Sequence, residues 1–178
     1  MKGCTRPPLF IRLERASDVD AIGQVTQAAF KNHPISRQTE HYIVEALRAA
    51  NALTISLVAE IDGRIVGHAA LSPISISDGT EDWYGLGPIS VLPSYQRQGV
   101  GKALMHEGLR LLKETGANGC VLVGDPAYYQ RFGFRSVPEF VHEGVPQENV
   151  LVLHLGNERA AGTVTFHPAF MAGLEVSD

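Results

Sequence analysis

The chain has 178 residues, of which 44% are hydrophobic and 19% charged, and its formal net charge is -4. That length and composition fit one soluble globular domain with its own core and exclude extensive disorder. An acidic balance gives no general pull toward nucleic acid or an anionic membrane, so any anion site has to be local. Residues 1–10 (MKGCTRPPLF) contain two prolines and no apolar run of signal-peptide length. No later segment approaches the length needed to cross a bilayer, so a cytoplasmic location is expected. The two cysteines, Cys4 and Cys120, are far apart and lack a CxxC or a histidine pair at ligand spacing, which indicates neither a disulfide framework nor a zinc site. The seven histidines are scattered through the chain, and no metal is assigned.

Residues 9–15 (LFIRLER) alternate apolar and polar side chains, the period of a half-buried strand. A helix is expected next, with Ser17 and Asp20 as a variant capping box and Ile22, Val25 and Ala29 at helical spacing. After a loop carrying Pro34, a second helix is expected from about Thr39 to Ala50, with Ile43, Val44 and Leu47 on one face. Residues 53–61 and 64–71 are strand-like runs separated by Asp62 and Gly63, a strong hairpin signal, and are expected to pair antiparallel.

Residues 83–93 (WYGLGPISVLP) contain a strand ended by proline. From Val100, the small or apolar residues Ala103, Leu104, Gly108, Leu111 and Leu112 recur every three or four positions, and Gly116 is placed to stop that helix. Residues 120–124 (CVLVG) form a continuous apolar run of the kind found in buried parallel strands. Pro126 suits the first turn of a short helix that Gly133 ends. Residues 134–137 and 149–155 are expected as strands, and residues 162–170 as an edge strand available to pair across a dimer. The order describes an α/β (α+β) domain over residues 1–178, a mixed sheet with helices on both faces. Its core spans about 9–156, and residues 157–178 form a C-terminal extension.

The segment YQRQGVGKAL, residues 95–104, joins a strand to a helix. A helix start leaves backbone N–H groups unpaired and carries partial positive charge, and glycines let a ligand approach closely. Gln98, Gly99, Val100, Gly101, Lys102 and Ala103 offer such donors, and Arg97 and Lys102 add charge. No Asp or Glu occurs between Trp83 and His106, although the whole protein is acidic. This bias favours a phosphate ligand over a bare strand-to-helix turn. A Walker A loop needs glycine where Gln96 stands and Ser or Thr where Ala103 stands; a dinucleotide fingerprint needs a small residue where Leu104 stands. Neither pattern fits.

VLPSYQRQGVGKALM resembles the acyl-CoA signature of the GNAT acetyltransferase superfamily, Q/R-x-x-G-x-G/A, here Gln96, Gly99 and Gly101. GDPAYYQRFGF resembles that superfamily's second motif, with Tyr128 and Tyr129 ahead of Gly133 and Phe134. Together with LRAANALTISLVAE and GHAALSPI, it is similar to the YhbS-like subgroup. The resemblance implies a mostly antiparallel sheet with a splayed parallel pair and acetyl-CoA as cosubstrate. It also implies pyrophosphate on the amides of Arg97 to Lys102, and a pantetheine arm lying along the backbone of Ile89 and Val91 like an added strand.

Transfer to an amine requires a neutral nucleophile, stabilisation of the oxyanion and a proton for the departing thiolate. The resemblance implies Tyr129 as the acid and the Val91 backbone N–H as the group that polarises the thioester. Tyr128 is read as a packing aromatic. The signature strand has no carboxylate. His68 is a candidate base, with water-mediated proton loss or uptake of neutral amine as alternatives. Glu81 and Asp82 are read as solvated. The expected activity is N-acetylation of a primary amine, preferably of a small molecule, with a protein amine open. The competing reading is a noncatalytic acyl-CoA sensor. The acceptor region is expected near residues 30–42 and 75–84, in a monomer or homodimer with no nucleic-acid or membrane partner.

Overall fold

The structure is a computed structural model and describes residues 5–174; Cys4 of the sequence reading lies outside them. Nine strands and four α-helices are found among these residues. Strand β1 (Leu9–Leu13) pairs antiparallel with β2 (Ile55–Ile61), and β2 with β3 (Arg64–Pro73). The β2–β3 turn uses Asp62 and Gly63 at φ 50° and 73°, the double left-handed geometry that a two-residue hairpin demands. Strand β3 pairs antiparallel with β5 (Trp83–Val91), β5 runs parallel to β6 (Gly119–Val123), and β6 pairs antiparallel with β8 (Val150–His154). The result is a six-stranded, mostly antiparallel sheet with one parallel pair and helices on both faces.

Helix α3 (Val100–Glu114) packs Val100 and Leu104 against Gly67 of β3, where an added Cβ would meet both side chains at 3.1 Å. Gly108 likewise lets the helix approach Leu71 and Leu57. Leu57, Leu71, Leu104 and Leu112 are at most 1% exposed, and each contributes roughly 1.5–3 kcal/mol by leaving water. On the other face lie α1 (Val19–Phe30) and α2 (Glu40–Ala49), which turn Ile22, Val25, Val44 and Leu47 inward.

The start of α1 differs from the expected capping box. Residues 16–18 form a 3-10 turn, and the Asp18 carboxylate accepts the Arg15 N–H at 2.7 Å while Arg12 binds it at 2.7 and 3.1 Å. Asp18 acts because its carboxylate is buried beside a guanidinium that holds its pKa below the ordinary value.

Two expectations late in the chain are corrected. Residues 134–137 form no strand; only Arg135 bridges to Val152 before Pro138. Nor is residues 162–170 an edge. Strand β9 (Gly162–Thr165) is the middle strand of a second, three-stranded sheet, between β4 (Ser75–Ile76) and β7 (Phe140–Val141). Both its sides are already paired, so it has no free edge to offer a second copy. This small sheet encloses its own core of Ile76, Trp83, Val121, Phe140, Val150 and Val164.

Candidate active site

Pairing between β5 and β6 is brief: Trp83 with Gly119, Tyr84 with Cys120, and Gly85 with Val121. Beyond Gly85 the two strands part. The β3–β5 register explains where. Ala69 opposes Ile89 and Leu71 opposes Leu86, so Gly87 and Pro88 together face the single residue Ala70. That is a β-bulge, which bends and twists its strand, and Pro88 has no N–H with which to continue a ladder. The last three residues of β5 are therefore held by β3 on one side and open on the other.

Backbone alternation fixes what lines the opening. The Leu92 N–H donates to Val66 O at 2.8 Å, toward β3, so the N–H and C=O groups of Val91 and Ile89 point away from β3 into the gap. The Gln96 side-chain amide donates to Val91 O at 3.0 Å. Gln96 of the signature therefore ties the loop to the strand, and leaves the Val91 N–H and both Ile89 groups directed at the opening. Gln98 has a similar part, its side-chain amide donating to Ser94 O at 3.1 Å.

The loop then turns back on itself with Arg97 at φ 61° and Gly99 at φ 85°. Left-handed residues alternating with ordinary ones aim successive N–H groups into a shared concavity suited to an anion. No side chain caps α3, so the N–H groups of Val100, Gly101 and Lys102 extend that concavity. Ala103 does not belong to it, because its N–H donates to Gly99 O at 3.0 Å. Arg97 and Lys102 are exposed at its rim, whereas the Val100 side chain is buried. A Cβ at Gly99 would meet nothing within 4 Å, so its absence serves the backbone angle and the space above it.

Helix α4 (Pro126–Tyr129) brings the second motif to this place. Asp125 caps it by accepting the Ala127 N–H at 2.9 Å. Asn149 clamps the preceding turn, with its backbone O accepting the Gly124 N–H at 3.0 Å and its side chain donating to Gly124 O at 3.0 Å. Sequence reasoning missed Asn149 because it lies 25 residues downstream; the supporting signal was the polar residue opening residues 149–155. Tyr129 then packs where Gly124 has no side chain, since an added Cβ would come within 2.5 Å of its ring. Desolvation in this packing pushes the Tyr129 phenol up to about 12, so it remains a protonated donor. Its neighbour Tyr128 meets it edge-on at 4.9 Å and extends its hydroxyl to within 3.5 Å of the Cβ position of Gly101. The Val91 side chain lies 3.8 Å from that same position. Gly101 is thus the point at which β5, α3 and α4 converge.

His68 is placed differently from expectation. It faces away from α3, fully buried, with Nε2 2.8 Å from the Ser56 hydroxyl. Burial lowers its pKa to about 4. A neutral, enclosed imidazole with no opening to solvent cannot meet an amine, so His68 is withdrawn as the base. Glu81 and Asp82 are exposed, as expected. Two clefts coincide with the expected acceptor region. One of about 340 Å³ lies along residues 73–84. The other, about 510 Å³, lies between α1 and α2 and is lined by Gln24, Phe30, Lys31, Glu40 and Tyr42 among others. No group of three or more His, Cys, Asp or Glu side chains is arranged to hold a metal among the described residues, and no helix there is long and apolar enough to cross a membrane.

Residues 22–134 match the sequence model of the acetyltransferase (GNAT) family. The chain is 35% identical to the uncharacterized N-acetyltransferase YhbS of Escherichia coli K12 over 127 residues, 71% of this chain and 73% of that protein. Its structure superposes with a TM-score of 0.82 on a GNAT family acetyltransferase from Brucella melitensis in complex with acetyl-CoA, at 47% identity, covering 93% of this chain and 99% of that one. The E. coli YhbS structure in complex with CoA gives a TM-score of 0.85 at 29% identity, covering 97% of each chain.

Proposed function

The chain belongs to the GNAT acetyltransferase family, and from that premise we propose that it transfers the acetyl group of acetyl-CoA to a primary amine of a small molecule by direct attack on the thioester. The observation that carries this reading is the open β5 edge beside the uncapped start of α3, with Tyr128 of α4 reaching Gly101 and Tyr129 packed edge-on against it. The Brucella and E. coli relatives hold acetyl-CoA and CoA, and the residues here fit the same group. Its phosphates suit the Arg97 to Lys102 amides, and its amide-bearing arm suits the unpaired Ile89 and Val91 backbone.

Acetyl-CoA supplies an activated acyl group with a thiolate leaving group. The Val91 N–H is a fixed donor at the gap that stabilises the oxyanion formed when the amine adds. Tyr129 then gives its phenolic proton to the departing sulfur. The signature strand carries no carboxylate and His68 is enclosed, so the amine arrives neutral or loses its proton to water. The cleft between α1 and α2 supports a small acceptor, since its volume is in the range of ligand pockets. Glu40 lines that cleft and brings a carboxylate to it, a charge suited to an ammonium-bearing ligand.

The test is titration calorimetry with acetyl-CoA, CoA and ATP, followed by an amine screen. Micromolar binding of the CoA species in preference to ATP is expected, with acetylation of at least one small amine. Failure to bind CoA refutes the reading. CoA binding without turnover on any amine favours the acyl-CoA sensor.

A further inference from the structure

One segment, residues 162–174, joins the two clefts described above, and it lies beyond the family match at residues 22–134. It starts as β9, where Thr165 and Val164 pair with Ser75 and Ile76 of the cleft along residues 73–84. It reaches Gly173, where an added Cβ would lie 2.8 Å from the ring of Tyr42, on the cleft between α1 and α2. Between these points Phe166 lies on Gly85, where an added Cβ would meet the Phe166 ring at 2.6 Å and Ile74 at 3.0 Å. The strand register gives its face. Gly67 and Leu71 of β3 face α3, so Ser72 faces the other way, and Gly85, its partner on β5, shares that direction. Phe166 therefore stands on the α1 and α2 face, over the last residue at which β5 still pairs with β6.

The Phe166 ring is held but not enclosed. It is half-buried, with His142 edge-on at 5.1 Å and Phe170 tilted at 5.0 Å. His142 is fixed in turn, its Nδ1 donating to Val164 O at 2.9 Å, and Phe170 packs into the cluster of Ile43 and Leu47 on α2. Neither Ile74, His142 nor Phe170 brings a carboxylate or an ammonium group to the ring. Such a surface recognises apolar and aromatic groups, and a polar group pressed against it gives up water for nothing.

We propose that Phe166 selects the acceptor, its ring forming the wall against which the apolar, aromatic body of the amine packs. This rests on the acetyltransferase reading above and names the class of amine: a primary amine carrying an aromatic ring on an alkyl spacer. The spacer follows from position. The α3 loop lies at the other end of the open stretch of β5, so Phe166 meets the far end of the acceptor and not its amine.

The experiment measures acetylation of phenylbutylamine, hexylamine and ethanolamine by the full chain, in wild type, Phe166→Leu and Phe166→Ala. Calorimetry with CoA and thermal denaturation run alongside, and the leucine variant keeps an apolar side chain over Gly85 should the alanine variant unfold. Wild type is expected to favour phenylbutylamine over hexylamine about 3- to 10-fold in kcat/KM, and hexylamine over ethanolamine. Both variants bring the first ratio to about 1 through KM, with CoA affinity within about 2-fold of wild type. A ratio that survives in Phe166→Leu overturns the proposal, as does a wild type that acetylates ethanolamine as well as phenylbutylamine. A parallel loss of CoA affinity also overturns it, because the ring would then act on the cofactor or on the fold. A wild type that binds CoA and acetylates none of the three overturns the proposal and leaves the cofactor reading intact, whereas one that binds no CoA refutes that reading and the proposal with it.

Discussion

Replacing Gly99 by aspartate and, separately, by asparagine distinguishes charge in the phosphate cradle from the shape of its backbone. Gly99 has φ 85°, and an added Cβ there touches nothing within 4 Å, so neither side chain clashes. Both variants share the strain of a left-handed residue, about 1–2 kcal/mol in general and less for Asn and Asp. They should therefore lose similar amounts of melting temperature. Only the aspartate brings a negative charge to the anion. At about 6 Å and an effective dielectric of about 20, each pair of like charges costs about 3 kcal/mol. The site is exposed, so solvent and salt reduce that figure. A remainder of about 1.5–3 kcal/mol corresponds to roughly 10- to 150-fold weaker CoA binding. Calorimetry at low and high salt reads it directly, with Gly99→Asn within a few-fold of wild type and the Gly99→Asp deficit shrinking as salt rises. Equal CoA affinity in the two variants would refute the cradle.

Tyr129→Phe should lower kcat by about 100-fold or more while leaving CoA affinity within about 2-fold, because a phenol pushed up to about 12 serves as a donor and not as a charge. An unchanged kcat on an accepted amine would remove Tyr129 from the chemistry. His68 predicts a pH dependence of stability instead of activity. Its pKa is about 4 in the fold against an ordinary 6.5, so the unfolded chain binds a proton first as pH falls. The stabilisation is fully present above pH 6.5 and is lost as pH falls to about 4, in total about 3 kcal/mol. Between pH 7 and 4.5 the melting temperature of wild type should fall more steeply than that of His68→Asn, and parallel slopes would sink this account.

Much of the fold was legible because its signals are local. Asp62 and Gly63 name their turn by the backbone angles they tolerate. The spacing of Leu104, Gly108 and Leu112 marks the inner face of α3, and all three are buried. The phosphate loop could be read for the same reason, since glycines and the absence of acids are visible without knowing what packs nearby. The capping of α1 was less legible, because Asp18 is held by Arg12 from a neighbouring strand.

The sequence by itself determined the hairpin, the glycine-bearing helix start and the presence of an aromatic pair ahead of Gly133, all of which depend on adjacent residues. Only the tertiary structure decided that Gly87 and Pro88 bulge opposite Ala70 and open β5 from β6, because a register exists only between two strands. It alone enclosed His68, sandwiched β9 inside a second sheet, and brought the Tyr128 hydroxyl to Gly101. Burial, and approach between residues 27 positions apart in the chain, depend on how the elements stack, and no window of neighbouring residues records that.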